Sequence, residues 1–88
     1  MNKEEMAGIM LHHLYEGRTD EIGMICEVIL ACRNNVKRDR AENIVSGVYT
    51  PEEAEMVMSG GELAQEVFDL LQKEDLNGIE TALRRYKS

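Results

Sequence analysis

His12, His13, Cys26 and Cys32 are the residues whose types most readily do chemistry in this chain. Structural zinc is held by close ligand pairs, spaced roughly as Cys-x2–4-Cys and His-x3–5-His, because two side chains from one turn must converge on one ion. Here the histidines are adjacent, about 100° apart on a helix, and the cysteines are six positions apart. Neither pair chelates from a single helix. His13 with one cysteine of a neighbouring helix is the remaining zinc geometry. The plainer expectation is a half-buried His13 and a solvent-facing His12 between Glu5 and Glu16. A thiolate nucleophile needs an exposed, electropositive setting, whereas both cysteines sit in the most apolar stretch of the chain, Ile22 to Cys32. Six helical residues separate them by about 9 Å along the axis, beyond the roughly 7 Å a disulfide spans, so buried free thiols are expected.

Other catalytic signatures are equally thin. Gly60-Gly61 lacks the Lys-Ser or Lys-Thr that completes a phosphate-cradling loop. Glu52-Glu53 follows Thr50-Pro51, which reads as a capping box with proline at the first helical position and negative charge at the positive helix end. The residues therefore predict a non-enzymatic protein with no cofactor and no metal. A small helical enzyme or zinc-binding protein without an identifiable site is the residual alternative.

Charge is more informative. Ten Lys and Arg face seventeen Asp and Glu, a net charge of −7 over 88 residues. A chain of that sign repels a phosphate backbone as a whole. Residues 1–49 carry a net −2 and residues 50–88 a net −5, and between Ala41 and Gln72 there are seven acids and no Lys or Arg. Spaced carboxylates on a helical body steer a basic partner surface, and Glu52, Glu53, Glu55, Glu62, Glu66 and Asp69 are the residues expected to do so. The bases cluster instead at Arg33, Lys37, Arg38 and Arg40, of which Arg33, Lys37 and Arg40 align at i, i+4, i+7 if one helix runs through them. That segment is the candidate for a nucleic-acid-binding regulator. A helix-turn-helix over Thr50–Lys73 fails on sign, since Glu62, Glu66 and Asp69 precede its first Lys.

The elements that must position these groups are all helical. Leu, Ile, Val and Phe number 21 of 88, above the roughly one-fifth below which chains stay disordered. No alternating β-branched run reads as a strand. The first helix is expected from about Lys3 to Tyr15, stopped by Gly17. A second, capped by Thr19 or Asp20, runs to about Asn34 and is apolar almost all round. A third spans roughly Arg38 to Val48, a short fourth follows Pro51 to a break at Gly60-Gly61, a fifth covers about Glu62 to Lys73, and a sixth runs from Gly78 to Lys87. The last two form an antiparallel hairpin. Ile22, Ile25, Val28 and Ile29 of the second helix must be covered by its neighbours or by another subunit.

The expected architecture is thus one domain over residues 1–88, an all-α bundle of five to six short helices with a C-terminal helical hairpin, forming a homodimer. No run approaches the roughly 20 apolar residues of a membrane span, and the Met1-Asn2-Lys3-Glu4-Glu5 start lacks a secretory pattern; a cytoplasmic setting is expected. Size, acidity and lack of catalytic motifs together suggest a protein–protein interaction module, a regulator or inhibitor of a partner with a basic surface, such as a phage or mobile element encodes.

Overall fold

Local capping chemistry sets the helix starts in the computed structural model, which describes residues 2–42 and 49–87. Asn2 begins α1 (Lys3–Tyr15): its Oδ1 accepts from the Glu5 amide at 2.8 Å, and Glu4 and Glu5 occupy the positive first turn. Gly17 ends α1 at φ 74°, with its amide donating to Leu14 and the Arg18 amide to His13. This left-handed ending satisfies carbonyls that the last turn leaves open. Helix α2 (Thr19–Ala41) has Arg18 at its N-cap and no capping side chain; Thr19, expected there or at Asp20, is already helical.

Helix α3 (Pro51–Gln72) begins on the anticipated capping box, Thr50 accepting from the Glu53 amide at 3.1 Å while Glu53 accepts from the Thr50 amide at 3.3 Å. A tight turn then leads into α4 (Leu76–Tyr86), capped by Asp75, whose carboxylate accepts from the Gly78 amide at 2.9 Å. Asn77-Gly78 therefore lies inside the first turn of α4 and does not precede it.

Four helices, and no strand, are present among the described residues, where five to six helices were expected. Two corrections account for the difference. Asn34-Asn35 does not end the second helix, which continues to Ala41 and takes in Arg38, Asp39 and Arg40. The rest of the expected third helix, residues 43–48, lies outside the described residues. Gly60-Gly61 is no break either: it sits in mid-α3, fully buried. A Cβ on Gly60 would come within 2.8 Å of the Met6 methyl, and one on Gly61 would collide with Cδ of Arg33. The two glycines thus buy closeness to α1 and α2 at the cost of about 1 kcal/mol each in helix propensity.

Helices α2 and α3 run antiparallel along most of their length. Gly23 meets Leu71, Arg33 lies on Gly61 and Arg40 reaches Glu55. Two helices of 23 and 22 residues explain the 40 Å long dimension of a body only 17 Å across its shortest. Helix α4 returns along α3 as the predicted hairpin and packs on α1. The core lies where all four helices meet: Ala7, Met10 and Leu11 from α1, Ile22 and Cys26 from α2, Leu63, Ala64 and Val67 from α3, Ile79 and Leu83 from α4.

Two substitutions test this account. Gly61→Leu should displace Arg33 and lower stability by ~1–3 kcal/mol despite its better helix propensity, seen as a fall of several degrees in Tm. Glu74, in the α3–α4 turn, is held at φ 55° by its own amide donating to Leu71 and that of Asp75 donating to Leu70. A non-glycine residue there costs about 1–2 kcal/mol, so Glu74→Gly should stabilise the chain by ~0.5–1 kcal/mol after the entropy glycine adds to the unfolded state. Thermal unfolding by circular dichroism reads both.

Candidate interaction surface

The continuity of α3 decides where the carboxylates point. At 3.6 residues per turn, Glu52, Glu55, Glu62, Glu66 and Asp69 fall within an arc of about 100° on one face, in phase across the glycine pair that was expected to separate them. Glu53 stands apart, engaged in the helix cap. Three of the five aligned acids are met by bases from three different helices. Lys3 Nζ of α1 lies 3.2 Å from Glu62, Arg40 of α2 2.6 Å from Glu55, and Arg85 of α4 3.0 Å from Glu66. Glu66 also accepts from the Tyr86 hydroxyl at 3.2 Å, and Asp69 accepts from Gln65 at 3.0 Å. Burial and the neighbouring Glu66 carboxylate push the Tyr86 phenol above its ordinary range. Exposed pairs of this kind contribute only ~0–1 kcal/mol each. With Glu55 and Glu62 still 73% and 67% exposed, their carboxylates stay accessible to a competing cation.

The basic segment is placed differently. Because α2 is continuous, Arg33, Lys37 and Arg40 share a face, but two of the three turn toward α3. Arg33 Nη1 donates to the Gly61 carbonyl at 3.2 Å, and its Nε is buried with no hydrogen-bond partner among the described residues. Arg40 is taken up by Glu55, and Arg38 lies 3.9 Å from Asp39. Lys37 is exposed. Arg33 and Arg40 thus act as ties between α2 and the acidic helix.

The α2 apolar stripe divides. Ile22 is fully buried in the core, and Ile25 and Ile29 pack partly against it. Val28, expected with them, is 63% exposed, and its neighbour Met24 is 58% exposed. Among the described residues α2 packs against α3 and α1 alone, so part of its apolar arc stays bare. That flank forms one wall of an open groove of about 520 Å³. Met6 and Ile9 of α1 line the opposite side, Met56 and Val57 of α3 close one end, and Glu21 is its one charged lining residue among the described residues. A second depression, lined by Lys3, Glu52 and Glu55 among others, shares Met56 with it. Methionines suit such a surface because their unbranched thioethers adapt to different shapes. Residue spacing did not single out Met6 or Ile9 for this surface; only the packing of α1 against α2 and α3 brings them to the groove.

The remaining chemically competent groups are not assembled. Cys26 is buried and Cys32 half-buried, both as free thiols. Desolvation first, and the charge of Glu27 second, push the Cys26 thiol up to about 11. Cys32 hydrogen-bonds Tyr49, which raises that phenol above its ordinary value. His13 Nδ1 accepts from Arg18 Nε at 3.0 Å, while His12 is exposed. Among the described residues no three His, Cys, Asp or Glu side chains converge as metal ligands, and no helix is long and apolar enough to cross a membrane. No family model matches the chain, and neither the curated proteins nor the solved structures include a significant match to it.

The raised Cys26 value carries a pH dependence. An ordinary thiol ionises near 9.0 and this one near 11, so between those values the unfolded chain has shed a proton that the folded chain retains. The stability derived from burying a neutral thiol is complete below about pH 9 and declines as pH rises toward 11. Urea titrations across that range should show the decline, and Cys26→Ala should flatten it.

Proposed function

We propose that this chain is a non-enzymatic protein–protein interaction module, a regulator or inhibitor that engages a partner through a basic surface on that partner. The observation that carries the reading is the row of five carboxylates along one face of α3, in phase over 22 residues of continuous helix. Such a row presents regularly spaced negative charge on a rigid rod, which favours encounter with a basic surface and penalises an acidic one. Its intrachain ion pairs are exposed and weak, so a partner's Lys and Arg can replace Lys3, Arg40 and Arg85 without a large loss of stability. The bare flank of α2 supports the same reading, since contiguous exposed apolar side chains mark interaction sites.

Self-association is a second reading, favoured by the same exposure of Met24 and Val28. A homodimer closed on that flank would complete the coverage that the α2 stripe requires. Nothing in the placement of Arg33 and Arg40 favours a nucleic-acid role, because both are committed to α3.

The test uses the whole chain as bait at low salt. A recovered partner with a basic surface should be lost when Glu52, Glu62 and Glu66 are reversed to Lys and retained when the off-face Glu53 is changed to Gln. A partner indifferent to the triple reversal, or the absence of any partner, would remove the acidic face from the account. Sedimentation of the wild-type chain against Val28→Glu decides the dimer: a dimer that the substitution dissociates supports self-association, and a monomer at all concentrations rejects it.

A further inference from the structure

The groove between α1 and α2 has a length, a chemistry and a charged frame that together specify an occupant. Its α2 wall runs from Glu21 to Ile29, about 12 Å of helix axis. That matches the roughly 10.5 Å between the first and last anchors of a helix presenting apolar residues at i, i+3 or i+4, and i+7. Met24 and Val28 are the side chains left most exposed along it. Among the described residues its lining holds one charged side chain and no set of converging polar groups to orient a small polar ligand.

The frame is acidic at its two ends, although Lys3 also lines the depression that holds Glu52 and Glu55. Glu21 stands at one end, and Glu52 and Glu55 lie beyond Met56 at the other. The lining stretch of α2, Glu21 to Ile29, carries Glu21 and Glu27 and no Lys or Arg; α3 from Pro51 to Gln72 carries six acids and again no base, with Arg40 of α2 meeting Glu55. Within α1, only Lys3 offsets Glu4 and Glu5, and Lys3 is turned to Glu62.

Resting on the interaction-module reading, we propose that this groove receives a single amphipathic α-helix of a partner protein, its apolar stripe against Met24 and Val28 and its flanking Lys and Arg residues against Glu21, Glu52 and Glu55. A second copy of this chain fits less well. A two-fold contact sets like patch against like, which would bring the acidic frames of two chains, each of net charge −7, face to face.

The probe is a fluorescent synthetic peptide of about 14 residues made of Leu and Lys in helical register, titrated with the full chain by anisotropy, with a Leu/Glu peptide of the same pattern as control. The Leu/Lys peptide should bind saturably, gain helical dichroism on binding, and weaken as salt rises. Val28→Glu is the decisive variant because it adds negative charge while blocking the groove. At a position this exposed it should leave the melting temperature unchanged, and it should weaken binding by roughly tenfold or more. Met24→Glu should act in the same way.

Binding unchanged or tightened in Val28→Glu would mean that charge alone holds the peptide and would overturn the proposal. So would equal affinity for the Leu/Glu peptide, lack of saturable binding, or a wild-type dimer that Val28→Glu dissociates, which would assign the groove to a second copy. The α3 charge reversals separate this from the broader reading. If they still release a basic partner while the peptide arm fails, the helix-in-groove inference falls alone; if both fail, the module falls with it.

Discussion

Close contact between α2 and α3, made possible by two buried glycines and filled by the stem of Arg33, is the constraint on which the rest of this structure depends. Because Gly60 and Gly61 carry no side chain, Met6 of α1 and Arg33 of α2 lie directly on the α3 backbone. The helix survives a pair of weak helix formers there because tertiary packing on both sides outweighs a propensity cost of about 1 kcal/mol per glycine. From that contact follow the length of α3, the antiparallel run of α2 beside it, and the phase of every side chain on either helix.

The phase has electrostatic and apolar consequences that belong together. Five carboxylates come onto one face of α3, and bases from α1, α2 and α4 each reach one of them, so the acidic row also ties the bundle together at low strength. On the other helix, the same packing draws Ile22 and Cys26 fully into the core and turns Val28 and Met24 outward. A helix with apolar residues over most of its circumference has more surface to hide than its two neighbours, α1 and α3, cover. The surplus is the groove, with Glu21 in its lining and Glu52 and Glu55 in the depression next to it.

Much of the local structure was legible in residue types. Thr50-Pro51-Glu52-Glu53 marked the start of α3, Gly17 marked the end of α1, and the last two helices were placed as a hairpin, because caps and periodicity are properties of a few neighbouring residues. Gly60-Gly61 and Asn34-Asn35 misled for the same reason. Taken alone, each pair favours a helix end, and nothing within ten residues of either announces the partner helix that overrides it. The six acids were visible as residues, but their geometry was not: Glu53 belongs to the cap, and the other five share a face only because the helix does not stop. Arg33 and Arg40 looked like a free basic patch until α3 was laid beside them.

By itself, then, the amino-acid order determined an all-helical chain, acidic in its second half, with a second helix too apolar to be fully wetted, since composition, capping and periodicity act over short stretches. Tertiary structure alone decided how many helices there are among the described residues, which arginines are tied down, and that Val28 faces out while Ile22 faces in. Those outcomes depend on which backbones approach closely enough to touch, and that is a property of residues such as Met6, Arg33 and Gly61, which lie far apart in the chain.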